Sequence, residues 1–293
     1  MILVTGATGN IGRALARELD ARGEKLRLLV RDPARARAAG LPPSDRAELV
    51  VGDFGDPGTL AAALTGVDRL FLLTQGIGTE HTTTAVAAAR AAGVRHLVHL
   101  SSAHVLLDPV PAMGRWHHER ERIIRASGIP ATFLRPGGFM TNALDWLPTI
   151  HAGDYVLDPV GPGRYAPIDP ADIAAVAAHV LTGHEEEEED EQYVLTGDET
   201  FTVTEQVRII SETIGRTIEV RATTTPDEVV RFRFPHGAPP ALAAAVTEGF
   251  ALMRADTVGF RTDTVERLLG RRPRTFADWC ARHADAFRRP ATA

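Results

Sequence analysis

The segment Ile2-Leu-Val-Thr-Gly-Ala-Thr-Gly-Asn-Ile-Gly-Arg13 constrains the fold of this chain more than any other stretch. A short apolar run enters three glycines spaced GxxGxxG, and a helical pattern starts directly behind them. Gly6 permits a tight turn out of a strand. Gly9 lets the backbone approach a ligand with no side chain in the way, and Gly12 lets the helix lie close to the strand. The amides of Gly9 and Gly12, with those of Thr8, Asn10 and Ile11, then face whatever sits before the helix. The helix dipole favours negative charge there. A diphosphate meets that requirement, so the expected ligand is a dinucleotide.

The rest of the first half supports the same fold. Expected strands are Ile2–Thr5, Leu26–Val30, Glu48–Val51, Arg69–Leu73, His96–Leu100 and Ala131–Arg135. Between them, helical spacing of apolar residues marks Ile11–Arg22, Thr59–Leu64, His81–Ala92 and Trp116–Ser127. Apolar strands alternating with helices imply a parallel sheet covered on both faces. Gly93 and Gly128 fall where helix C-caps belong. After about residue 140 the strict alternation stops. Helices are expected at Ala171–Leu181, Thr204–Ile214, Pro240–Met253 and Thr275–Phe287, with strands at Tyr193–Thr196 and Thr217–Arg221. The expected fold class is α/β, a doubly wound parallel Rossmann sheet. Residues 1–150 form the dinucleotide-binding domain and 151–293 a small α/β substrate-side region packed on it.

Composition narrows the partners. A formal net charge of -6 disfavours nucleic acid, whose phosphates need a basic face. No run approaches the roughly 18–20 apolar residues of a membrane span. No charged leader precedes the first apolar run, so no secretory signal is expected. The single cysteine, Cys280, can form no disulfide within the chain and excludes a cysteine-based metal site; it reads as packing beside Trp279. His117 and His118 are adjacent and point to different helix faces, which disfavours a shared metal. A cytoplasmic protein without metal, with a small-molecule substrate and no nucleic-acid or membrane partner, is the expectation. A homodimer is left open. The acid run Glu185–Asp190 reads as a solvated loop.

Residues just past the strand ends choose the cofactor. An acid after the second strand would bind a free ribose 2′-hydroxyl, whereas an arginine would bind a 2′-phosphate. Arg31 holds that position, with Arg35 one turn on, so NADP(H) is favoured over NAD(H). Asp32 would oppose a 2′-phosphate if turned inward, but Pro33 suggests that it starts a helix facing solvent. Asp53 can bond the adenine amine or merely cap the next segment, and Phe54 can cover the ring. Thr74 and Gln75 end the fourth strand, where the chain passes beneath the ribose and diphosphate.

With these residues in view, the chain resembles the atypical short-chain dehydrogenase/reductases, and within them the NmrA-like group. The resemblance is carried by Thr5-Gly-Ala-Thr-Gly-Asn-Ile-Gly12, Val30-Arg-Asp-Pro33, Gly52-Asp-Phe54 and Gly93-Val-Arg-His-Leu-Val-His-Leu-Ser-Ser102. It continues through Ser127-Gly-Ile-Pro-Ala-Thr-Phe-Leu-Arg-Pro-Gly-Gly-Phe-Met-Thr-Asn142, Ala166-Pro-Ile-Asp-Pro-Ala-Asp-Ile-Ala174 and Tyr193-Val-Leu-Thr-Gly197. Nearly the whole chain is covered. The resemblance implies that Pro136, Gly137, Gly138 and Phe139 cradle the nicotinamide half, with Ser101 also on the cofactor side. Met140 and Asn142 would border the substrate.

The wider superfamily places Tyr-x-x-x-Lys on the helix after the fifth strand. There the lysine lowers the tyrosine pKa and holds the nicotinamide ribose. Aligned on Glu121, this chain has Met113 at the tyrosine position and His117 at the lysine position. Its one lysine, Lys25, starts the second strand. The usual acid–base pair is therefore absent. Quinones and conjugated enones need less proton assistance, so reduction of a quinone, enone or related carbonyl by NADPH is the expected reaction. His117 would hold the ribose and, titrating near neutrality, relay a proton. Ser102 would polarise a carbonyl. Tyr165 is a replacement donor or a surface tyrosine. His104 is pocket wall or loop, and Trp116 is core or stacking platform at the substrate. A Ser102-based nucleophilic triad lacks its nucleophile elbow. Two further readings stay open: an NADP(H)-binding regulator without turnover, and a redox-neutral isomerase or cyclase.

Overall fold

The computed structural model describes residues 1–41, 45–74, 76–183, 191–223 and 225–288. The first elements are β1 (Ile2–Val4), α1 (Asn10–Ala21), β2 (Leu26–Val30), α2 (Pro33–Ala38), β3 (Ala47–Val51), α3 (Pro57–Leu64), β4 (Arg69–Leu72) and α4 (Glu80–Ala92). They are followed by β5 (His96–Leu100), α5 (Ala112–Ala126), β6 (Ala131–Pro136), α6 (Leu147–Gly153), β7 (Tyr155–Asp158), α7 (Pro170–Thr182) and β8 (Glu191–Leu195). The remainder comprises α8 (Val203–Ile214), β9 (Glu219–Ala222), α9 (Pro226–Arg233), α10 (Pro240–Arg254), α11 (Thr264–Leu269), α12 (Phe276–Arg282) and α13 (Ala284–Phe287). Short 3-10 turns occupy Ala103–Leu106 and Met140–Trp146.

Two compact units emerge: Met1–Pro136 with Pro170–Leu195, and Gly137–Asp169 with Thr196–Ala293. A boundary near residue 150 is thus not where the compact units divide. The chain leaves the first unit after β6, then returns to it with α7 and β8, because β8 finds its ladder partner in β6, from Thr132↔Glu191 to Pro136↔Leu195.

The first unit is a seven-stranded sheet in the order β3-β2-β1-β4-β5-β6-β8, parallel throughout. The strand order reverses between β1 and β4, which opens a crevice at the carboxyl ends of those strands. Helices cover both faces. On one, α1 buries Ile11, Leu15, Ala16 and Leu19 at helical spacing and packs on α7, whose buried alanines admit close approach. On the other, Leu60, Leu64, Ala85, Ala89 and Ile124 from α3, α4 and α5 pack with Leu3, Leu29, Leu97 and Phe133 of the strands. Asp32 accepts from the amides of Ala34 and Arg35 and so caps α2, as Pro33 implied. Gly93 ends α4 in the left-handed region at φ 76°.

In the second unit β7 pairs in parallel with β9. Its core gathers Met140, Ile150, Val156, Val207, Phe276 and Trp279. The single helix expected over Thr275–Phe287 is interrupted at His283, whose Nδ1 lies 2.8 Å from the Trp279 carbonyl while its ring stacks on Trp279 at 4.3 Å. An isolated parallel bridge joins Phe139 and Ile168. Cys280 is buried in this core, and burial pushes its thiol up to about 12, so it acts as a packing residue. Among the described residues, no helix is long and apolar enough to cross a membrane.

Candidate active site

Because the sheet is parallel, the residues that follow its strands share one edge. Gly6, Arg31, Asp53, Thr74, Ser101 and Pro136 stand at or just past the carboxyl ends of β1 to β6. The sequence therefore scattered over more than a hundred positions what the topology collects into one row.

The glycine turn has the shape a diphosphate needs. Gly6 lies at φ +62°, a conformation that resists a side chain. A Cβ on Gly12 would sit 2.2 Å from the Gly6 carbonyl oxygen and 2.8 Å from the Ala7 Cα. Helix α1 thus starts directly against the turn. Its N-cap is Gly9, which supplies no side-chain cap, and its first turn holds no acid. Thr8, Gly9 and Asn10 are exposed, while Ile11 is buried under the helix. These residues fit a bound dinucleotide through backbone amides.

Arg31 is exposed at the end of β2, and among the described residues no hydrogen bond or ion pair ties it down. Asp32 is turned to its helix and leaves the arginine alone. Asp53 Oδ1 accepts from the Gly55 amide at 2.7 Å, which shapes the loop. Phe54 packs on the core and stacks on His81 with centroids 5.4 Å apart. Thr74 is buried, with its hydroxyl 3.1 Å from that of Thr82. Gln75 and the acid run Glu185–Asp190 lie outside the described residues.

At the end of β5 the hydroxyls are committed. Ser101 Oγ donates to Glu121 Oε1 at 2.6 Å. Glu121 is fully buried, and it also accepts from Arg135 Nε at 2.9 Å, Arg135 Nη2 at 2.6 Å and Arg125 Nη1 at 3.2 Å. Burial alone would raise its carboxyl, but the bonds from Arg135 and Ser101 outweigh burial and hold it below the ordinary glutamate value. Ser102 Oγ lies 2.9 Å from His104 Nδ1 and caps the 3-10 turn.

His117 is on the same helix as Glu121, four residues earlier. Burial first, then the charges of His99, Arg120 and His104, push its imidazole down to about 3, against the pull of Glu121. This corrects the expectation that His117 titrates near neutrality: it is a neutral ring, a hydrogen-bond partner and no imidazolium donor. Its Nδ1 is buried and, like His99 Nε2, has no hydrogen-bond partner among the described residues. His99 Nδ1 meets the Leu72 carbonyl at 3.1 Å, and burial holds His99 at about 4. Arg120 is 3% exposed, yet it faces carbonyls: Nε and Nη2 donate to Gly78 at 3.2 and 3.1 Å, and Nη2 also to Gly76. It fastens the loop after β4 to α5. Trp116 is half-buried on α5.

The second unit carries the remaining expected residues. A Cβ on Gly138 would lie 3.3 Å from the Tyr165 ring and 4.0 Å from Asn142 Nδ2, so the glycine segment, Tyr165 and Asn142 adjoin. Asn142 and Tyr165 also line a cavity with Asp145, Trp146, Phe232 and Arg233. It spans about 690 Å³ when the part open to solvent is counted. Tyr165 is not a surface tyrosine. It is 7% exposed, and burial pushes its phenol up to about 12. Met140 is 2% exposed in the core and is not among the described residues that line the cavity.

Sequence reasoning overlooked Arg120, Arg135, Asp145 and Arg233. One signal was available: Arg120 and Glu121 stand one helical turn before the buried Ile124, on the face of α5 that turns inward. Nothing local marks Asp145 and Arg233, which meet only through folding.

The fold and the glycine cradle define a dinucleotide-binding protein of the Rossmann type. The chain belongs to the NmrA-like family, which it matches over residues 1–270. It is 38% identical over 288 residues to the (4-alkanoyl-5-oxo-2,5-dihydrofuran-3-yl)methyl phosphate reductase of Streptomyces griseus subsp. griseus, covering 98% of this chain and 99% of the relative. It is 35% identical over 291 residues to the NAD(P)H azoreductase of Xenophilus azovorans, with the same coverage of 98% and 99%. Among solved structures, the NADPH-dependent quinone oxidoreductase of Escherichia coli complexed with NADPH superposes with a TM-score of 0.81 at 26% identity, covering 96% of this chain and 99% of that one.

Proposed function

We propose that this chain is an NADPH-dependent reductase that delivers hydride to a quinone, enone or related conjugated carbonyl without a Tyr-x-x-x-Lys pair. Its class, NAD(P)H-dependent oxidoreductase, rests on relatives named as reductases over their whole length. The observation that carries the substrate class is the weakness, as acids, of the two expected proton donors. His117 is neutral down to about 3, and Tyr165 holds its proton up to about 12. A simple ketone would need a proton delivered as its alkoxide forms. A quinone or enone yields an anion stabilised by conjugation, which water can protonate later.

In this reading the glycine turn and α1 hold the diphosphate, and Arg31 holds a 2′-phosphate. The His117 ring bonds the nicotinamide ribose. Asn142 and Tyr165, beside Gly138, hydrogen-bond the acceptor's oxygen in the cavity. Bound NADPH supplies the hydride. The test is loss of the reduced-nicotinamide absorbance with a panel of quinones and enones. Consumption with at least one acceptor is expected; tight NADPH binding with no consumption across the panel would leave a non-catalytic NADP(H)-binding protein instead.

The cofactor preference has its own test. Arg31→Ala should lower the preference for NADPH over NADH by about tenfold or more, since a charge-assisted hydrogen bond contributes roughly 1.5–3 kcal/mol. The ratio of kcat/KM for the two cofactors measures it. Equal use of both by the unmutated protein would remove Arg31 from the site.

A further inference from the structure

Among the described residues that line the cavity of the second unit, only Asp145 and Arg233 are charged. The rest of the wall is largely apolar and aromatic, including Trp146, Phe232 and Phe250. Arg233 Nε lies 3.1 Å from Asp145 Oδ2, and both side chains are about one-third exposed, 33% and 38%. The contact uses one side of the guanidinium. Among the described residues, neither Nη group makes a hydrogen bond, and the guanidinium carbon lies 5.7 Å from the Phe234 ring centroid. A planar fork with two free parallel donors matches a carboxylate, sulfonate or phosphate.

We infer that the cavity is selective for acceptors that carry an oxyanion beside the conjugated ring, with Arg233 as the anchor. This rests on the reading that the cavity receives the acceptor. The ion pair is not indifferent to the sign of a ligand, because the two partners are unequal. Arg233 cannot lose its proton. Burial raises the Asp145 carboxyl, and Arg233 only partly opposes this. An arriving anion raises it further, so Asp145 can take up a proton and yield the guanidinium. A cationic ligand would have no such route, because Arg233 would remain charged beside it. The aromatic wall then receives the flat ring.

Two naphthoquinones of similar size test this: menadione, which is neutral, and a naphthoquinone sulfonate. Calorimetric titration of the protein saturated with NADP+ gives the ratio of their dissociation constants without turnover. The sulfonate should bind about tenfold tighter or more, from one charge-assisted bidentate contact. Arg233→Gln should bring the ratio close to one, and Arg233→Lys should keep part of it. Asp145→Asn should widen it, because the competing carboxylate is gone; a merely structural pair would not produce that opposite sign. Should Arg233→Gln fail to fold, the lysine and Asp145→Asn variants decide. An unchanged ratio in Arg233→Gln, or weaker sulfonate binding in Asp145→Asn, overturns the anchor. NADPH consumed equally with both quinones, with and without Arg233, removes the anchor and leaves the reductase. Sulfonate bound through Arg233 with NADPH untouched removes the reductase and leaves the anchor.

Discussion

Gly12→Ala should weaken NADPH binding by at least about tenfold, the equivalent of roughly 1.4 kcal/mol. The added methyl would stand 2.2 Å from the Gly6 carbonyl oxygen and 2.7 Å from its carbon. Both are backbone atoms in a turn, so no side chain can swing aside. The start of α1 must move away from β1, and overpacking of this kind costs about 1–3 kcal/mol. The amides meant for the diphosphate move with it. Gly9 offers a contrast, because its Cβ would meet the Gly6 oxygen at 3.3 Å only. Gly9→Ala should therefore keep most of the stability and lose affinity through obstruction of the ligand. Titration of protein fluorescence with NADPH, alongside thermal melts with and without the nucleotide, separates the two. Unaltered NADPH affinity in Gly12→Ala would mean that the dinucleotide does not sit on this turn.

Glu121→Ala should cost about 3–5 kcal/mol of stability, the range for removing one partner of a buried ion pair. Glu121 is fully buried, and the Arg135 side chain is 9% exposed. Without the carboxylate, the guanidinium keeps Gln192 as a partner but no countercharge in contact. Ser101 also loses the acceptor of its hydroxyl. Equilibrium denaturation measures the loss. The pH dependence carries a sign. The folded Glu121 carboxyl lies below the ordinary glutamate value of 4.5, so the unfolded chain binds the proton first on acidification. Its contribution is complete at neutral pH and fades as pH falls below 4.5 toward the folded value. The gap between the two proteins should narrow over the same interval. A variant within about 1 kcal/mol of the unmutated protein at neutral pH would show that the network adds little beyond ordinary burial.

Much of the first unit was legible because its signals are local. Strand runs such as Leu26–Val30 and His96–Leu100 coincide with the observed strands, since buried parallel strands are apolar from end to end. Pro33 after Asp32 announced α2 and its cap. Local reasoning failed where one segment joins another far away. β7 (Tyr155–Asp158), α6 and α9 were passed over because the chain there shows neither clean alternation nor a long helical stripe. The neutral state of His117 was illegible for a different reason. It depends on burial and on His99 and Arg120, residues whose proximity is a property of the folded unit.

Tyr165 and Met140 illustrate the same limit at the site. The sequence positions each near a recognisable motif, yet burial depends on packing from Phe201, Val203 and Trp279, which come much later in the chain. By itself the sequence determined the strand–turn–helix, the parallel order of alternating elements and the absence of any lysine other than Lys25. These follow from residue type and spacing of a few positions. Only the tertiary structure decided that Glu121 is locked to Arg135, that His117 carries no charge, and that Asp145 and Arg233 face one cavity with Tyr165. Those features depend on desolvation and on contacts across dozens of residues, and neither quantity exists until the chain has folded.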